Sequence, residues 1–251
     1  MPYDPIELAK KTERMVVNGN RRKYFRFRGG RWYGGIATAD CVGCNLRCVF
    51  CWSWYTRDRA TSVGKFYSPR DVFHRLIKIV QRRGYRQVRI SGGEPTIGKE
   101  HLIELLELFS DTSLIFILET NGILIGWDKS YARDLAKFTN IHVRVSIKGT
   151  NPEEFSRLTG ANPEAFYLQL KALEHLLNEG VSVHPAIMLS FSKKEDYNNL
   201  LKELEEIDRS LVNEVEEEYV FLYPHVVKKL RKAKIWPRIA YTPDNIPPEL
   251  I

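Results

Sequence analysis

The sequence predicts an α/β fold, a partial TIM-like (β/α)6 barrel of mostly parallel strands with a short N-terminal hairpin extension. Three observations carry that expectation. From Gly34 onward short β-branched runs alternate with stretches of helical periodicity, the order of βα units around a parallel sheet. The helical stretches bring their own start and stop residues, and 251 residues suffice for one sizeable core.

Residues 1–33 are read as the N-terminal extension. In it Tyr24, Arg26 and Arg28 alternate with Phe25 and Phe27 ahead of Gly29-Gly30, which suits a hairpin; a basic, aromatic face for nucleic acid is the functional alternative. The barrel core is placed at 34–227, with strands near Ile36 to Ala39, Gln87 to Ser91, Leu114 to Glu119, His142 to Ile147, Ser182 to Leu189 and Tyr219 to Tyr223. Helices are expected near Pro69 to Arg83, Lys99 to Phe109, Lys129 to Phe138, Pro163 to Asn178 and Lys193 to Ile207. Ser68-Pro69-Arg70-Asp71 caps the first of these and Gly84 ends it, as Asn178-Glu179-Gly180 ends the fourth. Residues 228–251 form a basic, Pro-rich C-terminal tail, a short helix followed by irregular chain.

Charged residues make up 27% of the chain, and no apolar run reaches the roughly 18 residues that cross a bilayer, so no membrane partner is expected. The opening MPYDPIELAKKTERM lacks the apolar stretch of a secretory signal, which points to the cytoplasm. A net charge of +7, with basic stretches at Arg21 to Arg31 and Lys228 to Lys234, permits an acidic partner such as a nucleic acid without requiring one.

All four cysteines, Cys41, Cys44, Cys48 and Cys51, lie within eleven residues, so no disulfide framework staples distant parts of the chain; clustering of this kind points to a metal. The cysteines follow the first strand, at the end of a parallel sheet where α/β barrels carry their chemistry. Taken alone they fit either a four-sulfur zinc site or an iron–sulfur cluster held by three thiolates with one iron open.

The triplet Cys44-x3-Cys48-x2-Cys51, with aromatic Phe50 before its last member, resembles the signature of the radical S-adenosylmethionine (SAM) superfamily. That resemblance implies a [4Fe-4S] cluster on Cys44, Cys48 and Cys51, with SAM on the open iron and Phe50 beside its adenine. Cys41 falls outside the triplet and is not carried over. Ser91-Gly92-Gly93-Glu94-Pro95 looks like the family's Gly-Gly-Glu motif, with Gly92 and Gly93 giving close backbone approach and an exposed Glu94 carboxylate pairing with the methionyl ammonium. Glu119 and Asn121, at the end of the third strand, are similar to positions that contact SAM or substrate.

Ser146-Ile147-Lys148 and Leu222-Tyr223-Pro224-His225 are similar to stretches of glycyl-radical-enzyme activating enzymes, though Ser146 stands in place of an Asp and the order of Tyr and Pro is exchanged. They imply cofactor contacts from Lys148, Ser146 and His225. The activity implied is reductive cleavage of SAM, the electron coming from a one-electron donor such as flavodoxin or ferredoxin, to a radical that abstracts hydrogen. Its target is a glycyl-radical protein on that likeness; the charge favours RNA or a small metabolite. A non-enzymatic zinc- or iron–sulfur-binding module is the third reading. His184, on the fifth strand, and the aromatic loop Trp52 to Arg59 are further candidates, for the barrel interior and for covering the cluster.

Overall fold

The computed structural model describes residues 1–250. It opens with a helix that the hairpin expectation did not contain. Asp4 caps α1 (Pro5–Val16), accepting from the N–H groups of Ile6 and Glu7, while Pro5 takes a first-turn position where its missing N–H costs nothing. Two strands follow, β1 (Val17–Asn18) and β2 (Arg21–Gly30), and β2 turns through residues Trp32–Gly34 into β3 (Ile36–Cys41). β2 and β3 pair antiparallel from Gly30↔Ile36 back to Tyr24↔Cys41, so the hairpin exists and its second arm is the first barrel strand.

After the cysteine loop come α2 (Trp54–Asp58) and β4 (Lys65–Tyr67), which pairs antiparallel with β2. The repeating part then runs through α3 (Pro69–Arg83), β5 (Gln87–Gly92), α4 (Lys99–Ser110), β6 (Ile115–Thr120), α5 (Ile123–Trp127), α6 (Ser130–Leu135) and β7 (Ile141–Ile147). It continues through α7 (Pro152–Thr159), α8 (Phe166–Asn178), β8 (Val183–Met188), α9 (Lys194–Ile207), α10 (Arg209–Asn213) and β9 (Glu216–Glu218). Strands β3, β5, β6, β7, β8 and β9 lie side by side in that order and every pair is parallel, the six-strand partial barrel that the sequence predicts.

Local chemistry explains why the boundaries of α3 fall where its punctuation put them. Ser68 and Asp71 form a reciprocal capping box, Pro69 starts the helix, and Gly84 ends it in the left-handed region at φ 69°. The sixth strand is different. The apolar pattern placed it at Tyr219 to Tyr223, but the barrel strand is the acidic Glu216–Glu218; β10 (Val220–Phe221) pairs instead with β11 (Ala240–Tyr241), beyond α11 (Pro224–Ala233). Hydrophobic periodicity cannot find a strand whose inward side chains are carboxylates satisfied by cations.

Among the described residues the barrel is not closed by backbone pairing, since the strand path ends at β9. Side chains of the β2–β3 turn span the gap: the Trp32 ring stacks on Phe221 at 6.0 Å, and the Tyr33 hydroxyl donates to Glu216 at 3.5 Å.

Candidate active site

A cavity of about 550 Å³ occupies the barrel at the C-terminal ends of its strands, and all twelve candidate residues line it: Cys44, Cys48, Phe50, Cys51, Gly92, Gly93, Glu94, Glu119, Asn121, Ser146, Lys148 and His225. That volume is in the range of ligand-binding sites.

The cysteine loop leaves β3 and is held by its neighbours. Arg57, buried beneath it, donates to the Cys48 carbonyl at 3.0 Å, Val49 N–H donates to the Leu158 carbonyl at 2.9 Å, and Phe50 packs on Phe191 with ring centres 5.6 Å apart. Cys44 Sγ accepts from Leu46 N–H at 3.3 Å and lies 3.8 Å from Asn121 Nδ2. That amide also donates to Asn45 Oδ1 at 2.7 Å, and Asn45 Nδ2, fully buried, has no partner among the described residues. Burial pushes the Cys48 thiol up to about 11 against some relief from Lys148; burial and then the Glu94 charge push Cys44 higher still. Buried thiols of this kind lose their protons to a metal. Among the described residues no three His, Cys, Asp or Glu side chains converge on a point for one metal ion, and a cubane cluster, which takes one sulfur per iron, does not need them to. Cys41 is fully buried on β3, paired with Gly92, and is not part of the cavity wall.

The Gly92-Gly93 turn packs directly on the start of the cysteine loop. Gly93 N–H donates to the Cys41 carbonyl and Glu94 N–H to that of Gly43; a Cβ on Gly93 would sit 2.1 Å from the Gly43 oxygen, so only glycine fits. The expected exposed carboxylate is not found. Glu94 is 2% exposed, and its carboxylate accepts from Thr96 N–H, the Thr96 and Thr120 hydroxyls, and Asn121 N–H at 2.6 to 3.1 Å. Four donors fill its acceptor capacity, so the side chain ties the end of β5 to the end of β6 rather than reaching for a ligand.

The opposite wall is charged. Arg89 donates to Glu119 at 2.8 Å, Arg144 bridges Glu216 and Glu218 at 2.6 and 2.9 Å, and Lys148 pairs with Glu218 at 3.3 Å and contacts Ser146. Burial pushes the Glu119 and Glu218 carboxyls up, but the adjoining cations outweigh it and hold both below the ordinary range. Lys148 is held above its ordinary range because Glu218 and Cys48 outweigh burial. At Glu216 the Arg144 fork and His184 do the same, and His184 continues to the half-buried His142 at 2.6 Å, toward the N-terminal ends of the strands. Sequence reasoning proposed His184 for the interior but missed Arg89, Arg144, Glu216 and Glu218; the only signal was charge alternating along strands that should have been apolar.

The remaining candidates sit at the edge. His225 is exposed, stacks on Tyr223, and donates to the Trp52 carbonyl at 2.9 Å. The basic stretch from Arg21 is largely committed inside the protein: Arg22 holds the Ile97 and Glu94 carbonyls, Lys23 those of Ala60 and Thr61, and Arg26 and Arg28 share the buried Asp40. It is not a free cationic face.

Residues 40–207 match the sequence profile of the Radical SAM superfamily. The chain belongs to that superfamily. Radical SAM membership makes it an enzyme of the kind that uses a [4Fe-4S] cluster and SAM. Among curated proteins it is similar to the "Probable GTP 3',8-cyclase" of Thermococcus kodakarensis, 32% identical over 55% of this chain and 42% of that protein. The protein of the same name from Methanopyrus kandleri is 26% identical over 71% of this chain and 55% of the relative. The chain thus spans about half the length of the curated relatives it matches. Those names correct the expectation of a closest likeness to glycyl-radical activating enzymes. In fold it is similar to Streptococcus suis SuiB bound to S-adenosylmethionine, with a TM-score of 0.55 at 18% identity, covering 83% of this chain and 52% of SuiB. It is also similar to spore photoproduct lyase complexed with dinucleoside spore photoproduct, with a TM-score of 0.58 at 13% identity over 79% and 60%. No described helix is long and apolar enough to cross a membrane.

Proposed function

We propose that Cys44, Cys48 and Cys51 hold the [4Fe-4S] cluster and that the chain cleaves SAM to act on a small polar molecule bound against the charged wall. The observation that supports this most is the meeting of the three thiols, the Gly92-Gly93 turn and the charged strands in one cavity. When bound, the cluster and SAM supply a 5'-deoxyadenosyl radical that takes a hydrogen atom from the substrate. The protein's part is to bind, orient and exclude water. Phe50 would lie beside the adenine, the Gly92-Gly93 backbone would receive the methionyl group, and Glu94 would fix that turn. Asn121 steadies Cys44.

Arg89, Arg144 and Lys148 pair with Glu119, Glu216 and Glu218 along the charged wall. A balanced lining suits a substrate with both donors and acceptors better than a polyphosphate. The relatives' name favours a second reading, a nucleotide such as GTP. Activation of a glycyl-radical protein has less support: Lys148 is engaged by Glu218, and His225 lies at the rim.

The test is anaerobic reconstitution with iron and sulfide followed by reduction with dithionite. The wild type is expected to bind about four irons per chain and to form 5'-deoxyadenosine from SAM. Cys44→Ala, Cys48→Ala and Cys51→Ala are expected to lose both properties, and Cys41→Ala to keep them. Zinc in place of iron would overturn the reading. Stimulation of 5'-deoxyadenosine formation by nucleosides but not by GTP would favour the first substrate class; the reverse would favour the second.

A further inference from the structure

Several stretches of the chain are basic, and two of them meet in the fold. Residues 44–60 and 224–238 together hold nine Lys and Arg, of which Arg57 is buried, against the single Asp58. The stretches Arg21 to Arg31 and Arg70 to Arg86 are basic as well, but most of the first is committed inside the protein and the second follows α3, away from the cavity wall. The fold brings these two segments together over the cysteine loop. Lys229 on α11 pairs with Asp58 on α2 at 3.0 Å and lies 4.5 Å over the Trp54 ring, and His225 holds the Trp52 carbonyl. Along α11, His225, Lys228, Lys229 and Lys232 follow at helical spacing, so they share one side of the helix.

Two large rings stand open beside it: Trp52, adjoining Cys51 at the rim of the cavity, is 40% exposed, and Tyr55 on α2 is 47% exposed. Exposed aromatic rings ringed by cations are the composition of a docking patch rather than of an ordinary solvated surface. We infer that this α2–α11 face is where an acidic one-electron carrier protein docks to reduce the cluster. The inference rests on the cluster assignment proposed above.

Two observations favour a protein carrier over a nucleic acid. The charge is gathered over the outside of the cysteine loop, whereas the cavity wall that a nucleic-acid substrate would have to enter carries three consecutive glutamates, Glu216 to Glu218. Electron transfer also favours the shortest path, and Cys51 is half-buried directly beside the exposed Trp52. The step balances simply: the reduced carrier gives up one electron and the oxidised cluster accepts it, with no bond made or broken at the patch.

The test uses full-length reconstituted protein and the double variant K228E/K232E, both positions exposed and neither in the cavity wall. With reduced flavodoxin as donor at low salt, kcat/KM for 5'-deoxyadenosine formation is expected to fall by roughly tenfold or more, and flavodoxin affinity measured by calorimetry to fall in step. Dithionite-driven formation is expected to stay at the wild-type rate, since a small chemical reductant needs no docking site. A double variant that keeps its flavodoxin-driven rate and affinity overturns the inference, as does one that loses affinity for bulk RNA with donor kinetics unchanged. Wild-type protein that makes no 5'-deoxyadenosine even with dithionite overturns the underlying cluster reading, and this inference with it.

Discussion

Glu94 and Asn121 show how single side chains tie the cavity wall together. In Glu94→Gln the buried carboxylate would give way to an amide with one acceptor oxygen and a donor facing other donors. It is expected to cost about 2–3 kcal/mol in urea unfolding and to weaken SAM binding in equilibrium dialysis; unchanged stability would show that the four hydrogen bonds do not carry the turn. Asn121→Leu removes the amide beside Cys44 and strands Asn45. Donors to cluster sulfurs stabilise the reduced, more negative state, so the midpoint potential is expected to shift downward in potentiometric titration followed by electron paramagnetic resonance. At this scale the sequence was legible where chemistry depends on spacing, as in the cysteine triplet, whose members all reach the cavity. It was illegible where a role depends on who stands opposite: nothing in Gly-Gly-Glu announces that Thr96, Thr120 and Asn121 will surround the carboxylate.

Elements repeat this division. Helix α3 could be bounded to the residue because its signals are local, a cap at one end and a glycine at the other. α1 went unread although Asp4-Pro5 is the same kind of signal, because the basic and aromatic residues after it drew attention to a hairpin. β9 could not be read at all, since Glu216 and Glu218 become strand residues only through Arg144 on β7 and Lys148 just after it. Glu218→Gln tests that dependence. Removing one charge from a buried set leaves the others under-compensated, so a loss of about 3 kcal/mol is expected, with iron content unchanged; a stability within 0.5 kcal/mol of wild type, roughly the spread of surface substitutions, would mean that backbone pairing alone holds β9.

For the whole molecule, acid should act through the buried His101 and the half-buried His142 before it reaches the carboxylates. Burial holds His101 and His142 down to about 4; at His101 burial outweighs the hydrogen bond to the Asn20 carbonyl, and the other ring nitrogen faces the Tyr24 hydroxyl. Their unfolded values lie near ~6.5, so below that pH the unfolded chain binds protons that the folded one refuses. Stability is therefore full above about pH 6.5 and falls as pH drops toward 4, and the depressed Glu119, Glu216 and Glu218 add a further loss below ~4.3. Urea unfolding at pH 7 and pH 5 is expected to show the decline, and His101→Gln to lessen it by about 2 kcal/mol; a variant with the wild-type slope would clear His101 of the effect. The incomplete barrel has a consequence for motion. Where the strands from β3 through β9 are stitched by backbone ladders, the open seam between β9 and the β2–β3 turn is spanned by one stacked ring pair and one long hydroxyl contact, a join worth only about 0.5–1.5 kcal/mol for the rings. Amide protons of Arg31 to Gly35 and of β9 should therefore exchange with deuterium well before those of β5 to β7, as a separate cooperative unit. The molecule would open like a book along its last page, giving bulky ligands a way in that the rim of the cavity does not provide.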